Sequence, residues 1–162
     1  MSTGAAPDRT VPDLTGMLSH IGHVLTTKLT AALAEIGLTP REQCVLWHAL
    51  EAERTQAQLA ELADLDKTTM VVTVDRLERA GLAERRPSST DRRARIISVT
   101  EAGRRAVADG TKIVDRVHGE VLAALPSDER QAFADALVLL LEGPLATPVE
   151  CDRPVRRARQ VG

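Results

Sequence analysis

Aromatic side chains are nearly absent: the 162 residues hold one Trp, one Phe and no Tyr. Proteins that read single-stranded nucleic acid stack its bases on aromatic platforms, so that class is excluded. Cysteine is scarce too. Cys44 and Cys151 stand far apart in no paired motif, which argues against a disulfide framework or a zinc ribbon. No apolar run is long enough to span a membrane. The polar start, Met1 to Pro12, lacks the apolar centre of a signal peptide. The chain is therefore expected in the cytoplasm, with residues 1–12 mobile. A general basic charge is also missing, since the formal net charge is −2. Affinity for nucleic acid would have to come from charge concentrated locally. No nucleophile–base pair or paired carboxylates group together, and Asp64 and Asp66 read as turn and cap, so an enzyme is not expected. No cofactor is implied.

What is present is a stretch from Thr55 to Thr100 that reads helix, turn, helix, then two short strands around a polar loop. Thr55-Gln56-Ala57-Gln58 has the form of a capping box and predicts a helix start. Leu59, Leu62 and Ala63 follow at helical spacing. Asp64-Leu65-Asp66 breaks the run. Asp66 is placed to cap a second helix, which runs from about Lys67 to Ala80 and stops at Gly81. Met70, Val74 and Leu77 fall on one face of it; Thr68, Thr69, Val72 and Arg76 fall roughly opposite. Hydroxyls that bond base edges and a side chain that meets a thymine methyl suit a helix entering a major groove. An ordinary solvated face fits the same pattern.

The next segment favours DNA. Leu82-Ala83-Glu84-Arg85-Arg86 and Arg95-Ile96-Ile97-Ser98-Val99 have the length of hairpin strands. From Arg85 to Arg95 the bases are Arg85, Arg86, Arg92, Arg93 and Arg95, against a single acid, Asp91. Such a tip suits phosphates or a minor groove. The candidate DNA contacts are Thr55, Gln56, Lys67, Thr68, Thr69, Val72, Thr73 and Arg76 on the helical pair. On the hairpin they are Ser88, Ser89, Asp91, Arg92, Arg93 and Arg95.

Gly81-Leu82-Ala83-Glu84-Arg85, Asp91-Arg92-Arg93 and Ser98-Val99-Thr100-Glu101-Ala102-Gly103 resemble the MarR family of bacterial transcription regulators. The resemblance runs from about Leu14 to Gly143. It implies a mainly α fold with a small β-hairpin wing: a winged helix-turn-helix flanked by N- and C-terminal dimerisation helices. It also implies that Arg93 enters a minor groove while Asp91 steadies it. The partners it implies are an inverted-repeat operator in double-stranded DNA, a second copy of the chain, and a small ligand or oxidant that ends repression. Two alternatives remain: a metal-responsive regulator of the same fold, and a winged helix that binds protein instead of DNA.

The flanks fit that plan. Leu14, Leu18, Ile21, Leu25, Leu29, Ala32 and Ile36 repeat at helical spacing up to Gly37, with Met17 and Val24 beside them. So wide an apolar face needs more to pack on than the small winged unit supplies. Thr39-Pro40-Arg41-Glu42 opens a helix with a capping box and a proline at its first position; Cys44, Val45, Trp47 and Leu50 are its inward residues. After the hairpin, Thr100 caps a long helix to about Leu125, with Gly110 and Gly119 as weak points. Pro126 breaks it. Ser127 is expected to cap a last helix with a buried stripe of Phe133, Leu137, Leu140 and Leu141, ended by Gly143. Residues 13–143 then form one domain, with a DNA-binding core at 55–100 and dimerisation helices at 13–37 and 101–143. Residues 144–162 have too little apolar material to fold and form a disordered tail.

The family's effector site lies between the dimerisation helices and the winged unit. By resemblance, the candidates are His20, His23 and Lys28 on the first helix, Trp47 and His48 on the second, and Arg116 and His118 on the fifth. A cation beside an aromatic ring suits a small aromatic anion, though each residue alone also fits a plain surface or core position. No metal signature stands alone. His20 and His23, spaced i, i+3, would need His118 to complete a site. Redox-sensing family members carry a cysteine on the first helix, where this chain has none; Cys44 reads as a small buried residue.

Overall fold

The computed structural model describes residues 10–91 and 93–149. The expectations for residues 1–9, for Arg92 and for the tail from residue 150 lie outside them.

Helix α1, Leu14–Leu33, begins at Asp13, whose carboxylate accepts the Gly16 N–H at 3.2 Å. Its end tightens into a 3-10 turn, Ala34–Ile36, and stops at Gly37 with φ +73, a left-handed conformation that glycine adopts without steric cost. Helix α2, Pro40–Glu51, has the expected reciprocal cap between Thr39 and Glu42 and proline in its first turn. Thr55 and Gln58 repeat the same device at the start of α3, Gln56–Leu62. Helix α4, Lys67–Arg79, is capped by Asp66, and Gly81 at φ +70 turns the chain into the hairpin.

Strand β1, Ala83–Pro87, pairs antiparallel with β2, Arg95–Val99, Ala83 opposite Val99 and Pro87 opposite Arg95. A short bridge joins Thr55 to Ile96, and the Ile97 N–H donates to the Arg54 carbonyl at 3.1 Å. The segment between α2 and α3 thereby anchors the hairpin. Helix α5, Glu101–Leu122, starts where the Thr100 hydroxyl accepts the Gly103 N–H at 3.0 Å and donates to the Gly81 carbonyl at 2.7 Å.

One cluster forms the core. Leu33, Val45, Leu46, Leu59, Met70, Val74, Leu77, Ile97 and Val107 are buried in it, each contributing about 1.5–3 kcal/mol by leaving water. The expected inward face of α4 is among them. Gly110, expected to be a weak point of α5, is instead a close contact: a Cβ there would overlap the Gln43 amide. Gly103 packs in the same way on the Leu82 carbonyl and Val99.

A second compact unit begins at Glu120 and contains α6, Glu129–Glu142. Two expectations fail here. Helix α5 ends at Leu122, and Asp128 rather than Ser127 takes the N-cap position, without a side-chain bond. The Arg130 guanidinium donates to the carbonyls of Leu125 at 3.1 Å and Ala123 at 3.3 Å, fixing the turn by a contact that no local motif encodes. The expected stripe is not buried within the chain: Phe133 and Leu141 are exposed, and α6 has no buried residue. On α1, Leu14, Met17, Leu18, Ile21 and Val24 are likewise exposed, and Leu33 is the buried residue. The architecture is mainly α with a two-stranded wing. Among the described residues no helix is long and apolar enough to cross a membrane.

Candidate nucleic-acid interface

The turn between α3 and α4 holds Asp64 at φ +49, and Asp66 then fixes the start of α4. One Asp66 oxygen accepts the Thr69 N–H at 2.9 Å and the other accepts the Thr69 hydroxyl at 2.6 Å. The Thr69 side chain, with its backbone N–H second, lowers the Asp66 pKa, so the cap stays charged at the positive end of the helix. Lys67, Thr68, Val72 and Arg76 are exposed along α4, with Thr69 half-buried. Val72 is 59% exposed, unusual for a valine beside the intact core face of Met70, Val74 and Leu77.

Thr73, expected on this outer surface, is buried, and its hydroxyl donates to the Thr69 carbonyl at 2.8 Å. Position 73 lies one turn beyond Met70 and next to Val74, which draws it inward. Arg76 is tethered: its Nε meets the Glu42 carboxylate at 2.9 Å, where Glu42 is almost fully buried and the Arg76 side chain is 57% exposed. The other Glu42 oxygen accepts the Thr39 N–H at 2.8 Å and its hydroxyl at 2.9 Å. One carboxylate therefore joins the start of α2 to the outer face of α4. The capping motif marks Glu42 in the sequence, but its reach to Arg76 depends on how the two helices pack.

At the base of the hairpin, Arg85 turns inward. It pairs with Glu78, with Asp75 at 2.7 Å, and with the Gln56 side-chain oxygen at 3.2 Å. Gln56 is thus engaged within the fold, as is Thr55, whose hydroxyl accepts the Gln58 N–H at 3.3 Å. At the tip, Ser88 is buried, and its hydroxyl donates to Glu53 at 3.0 Å. The Ser89 N–H donates to the same Glu53 oxygen at 3.2 Å. These bonds from Ser89 and Ser88 lower the Glu53 pKa. The Asp91 carboxylate accepts the Arg93 N–H at 2.9 Å, and the Ala94 N–H donates to the Asp91 carbonyl at 2.9 Å. Ser89, Arg93 and Arg95 are exposed. The serine-rich tip is therefore an ordered turn, presenting Arg93 from a backbone that Asp91 fixes. Glu53, its support from below, belongs to no sequence motif.

The effector candidates are dispersed. Of the seven, Trp47 lines a cavity of about 310 Å³ between α1, α2 and α5, together with Leu29, Leu33, Gln43, Cys44 and Val114. His20, His23, Lys28 and Arg116 are exposed, and His118 is half-buried. His48 pairs with Glu51 at 3.0 Å, a contact that, with Arg54 second, lowers the Glu51 pKa. No group of three or more His, Cys, Asp or Glu is placed to hold a metal among the described residues; His20, His23 and His118 are not brought together. Burial raises the Cys44 pKa and keeps it a thiol. The Gln43 side chain donates to the Val107 carbonyl at 3.2 Å and the Thr111 hydroxyl at 3.3 Å.

A sequence model of the MarR family matches residues 36–94. The solved structure of CouR from Rhodococcus jostii RHA1 bound to p-coumaroyl-CoA superposes with a TM-score of 0.72 at 33% identity, covering 85% of this chain and 96% of that one. A MarR-family transcriptional regulator from Rhodococcus sp. RHA1 gives 0.72 at 32% identity, with the same coverage of 85% and 96%. The transcriptional repressor CouR bound to a 23-mer DNA duplex gives 0.71 at 27% identity, covering 78% of this chain and 91% of that one.

Proposed function

The chain belongs to the MarR family of transcription regulators, and from that premise we propose that it is a repressor, bound as a homodimer to an inverted-repeat operator and released by a small effector. The observation that carries the reading is the pairing of an outward α4 face with a hairpin tip that holds Arg93 on a pinned backbone. Lys67, Thr68, Thr69, Val72 and Arg76 are the residues for the major groove. Arg93 is the residue for the minor groove, and Ser89 and Arg95 are the residues for flanking phosphates. Thr55, Gln56, Thr73 and Ser88 support these side chains rather than touch DNA, because their polar groups are engaged within the fold. No catalytic role is assigned; members of the family regulate transcription. The protein acts in the cytoplasm, on double-stranded DNA.

The exposed apolar stripe of α1 supports a dimer in which residues 13–37 and 101–143 pair two chains. A two-fold dimer sets its two reading helices about 34 Å apart, one turn of the duplex, which is why the operator is an inverted repeat. CouR's complex with p-coumaroyl-CoA supports an effector that carries an aromatic acid. The test is selection of duplexes from a random library, followed by gel-shift titration at rising salt. An inverted repeat should emerge, and affinity should fall steeply with salt because phosphate contacts release counterions. Enrichment of no sequence, or binding indifferent to salt, would refute the reading.

A further inference from the structure

A buried carboxylate is costly unless its oxygens are engaged, and the Glu42 side chain is only 5% exposed. Its capping role occupies one oxygen: Oε2 accepts both the Thr39 N–H at 2.8 Å and the Thr39 hydroxyl at 2.9 Å. Oε1 pairs across to α4, where Arg76 Nε lies 2.9 Å from it. Arg76 is no core residue. Its side chain is 57% exposed, and it shares the outer face of α4 with Val72 one turn before it and Thr68 two turns before it. The ion pair therefore reaches from the start of α2 to the face assigned to the major groove.

We propose, resting on the reading of the chain as an operator-binding regulator, that Glu42 is a positioning residue for base readout. It holds Arg76 so that the guanidinium meets a guanine edge in the major groove instead of a phosphate. A free arginine arm at a groove reaches phosphates as readily as bases, and a phosphate contact carries no sequence information. Pairing at Nε restricts the arm before DNA arrives, so less side-chain freedom is lost on docking. The close contact is at Nε; the two terminal NH2 groups supply the fork that guanine O6 and N7 accept. Charge acts in the same direction. An opposite charge so near offsets much of the long-range field of Arg76, which weakens its pull on phosphates and leaves directional hydrogen bonds as its contribution. Glu42 thereby lowers affinity for any duplex and raises preference for one base pair.

The test uses the full-length protein and the duplex that it selects from a random library. Each G·C pair of one half-site is replaced in turn, and affinities are read by fluorescence anisotropy beside a random duplex. At one G·C pair the wild type should lose roughly five- to 150-fold on replacement, the worth of a bidentate guanine contact, and Arg76→Ala should lose that preference. Glu42→Gln keeps the size of the side chain and one acceptor for Thr39 but frees Arg76. Its preference at that pair should shrink at least threefold. Its random-duplex affinity should hold or rise, with a salt slope steeper by up to about 0.9, one added phosphate contact. In the Arg76→Ala background Glu42→Gln should add nothing at that pair. Thr39→Ala should lower the melting temperature yet keep the preference. If Glu42→Gln does not fold, Glu42→Asp carries the test: it keeps a carboxylate too short to span Thr39 and Arg76 together, and the preference should shrink as for Glu42→Gln. A preference kept by the Glu42 variant, lost equally in Thr39→Ala, or independent of Arg76 would overturn the proposal. So would a Glu42 variant that weakens every duplex alike with an unchanged salt slope. A wild type that selects an operator while these arms fail removes the role of Glu42 and leaves the repressor; a wild type that binds no duplex removes the repressor reading itself.

Discussion

Arg93 can be separated from the structure that holds it. Its side chain is exposed at the hairpin tip, while the Asp91 carboxylate grips its backbone N–H at 2.9 Å. Arg93→Ala removes the guanidinium and leaves that grip. Operator affinity should fall by about 1–3 kcal/mol, roughly five- to 150-fold, with the melting temperature unchanged. A gel shift of undiminished affinity would remove Arg93 from the interface. Glu53 supports the same tip from below, and its pKa lies below the ordinary glutamate value of 4.5. A carboxylate depressed on folding stabilises fully above its unfolded value and loses that contribution as pH falls through its lower folded value. The Ser89 amide resonance should therefore titrate with a midpoint below 4.5, the tip loosening on the acid side. A midpoint at or above the ordinary value would show that Glu53 does not hold Ser89.

Elements built by local chemistry were legible from the sequence, and those fixed by distant packing were not. Thr39, Thr55, Asp66 and Thr100 were expected to cap helices and do so, because a cap needs only residues three apart. Arg85 illustrates the limit. It belongs to the arginine-rich hairpin by sequence, yet it faces Asp75, Glu78 and Gln56, a choice made by how β1 packs on α4. Glu42 and Glu53 were missed as organisers of the site for the same reason. Helix α5 tests the point. Alanine normally favours a helix interior over glycine by about 1 kcal/mol, so propensity alone predicts that Gly103→Ala stabilises. A Cβ there would overlap the Leu82 carbonyl and the Val99 side chain, and overpacking against backbone costs about 1–3 kcal/mol or more. Packing should win, and the melting temperature should drop by several degrees. An unchanged or higher value would mean that the Leu82 turn and β2 give way to α5 at little cost.

At the scale of the whole molecule, the feature to be explained is the apolar surface that one chain leaves uncovered. Leu14, Met17, Leu18, Ile21 and Val24 are between 37% and 59% exposed along one helix, a continuous patch of the kind that marks an interaction site. The formal charge of −2 makes the chain nearly neutral, so long-range repulsion does not keep two copies apart. The proposed dimer buries this stripe, and Ile21→Asp would put an unpaired carboxylate into it from each chain, at a cost of several kcal/mol apiece. Light scattering should report the mass of two chains for the wild type and of one for the variant, with Ile21→Ala intermediate. Ile21 is not among the residues proposed to meet DNA, so the reading surface keeps all its side chains. Operator affinity should nevertheless fall by about 10²-fold or more, because the second half-site contact ceases to be intramolecular. Two measurements are thereby tied together. A variant that becomes monomeric but keeps full operator affinity would mean that a single winged unit carries the whole site, and an inverted repeat would then have no reason to exist.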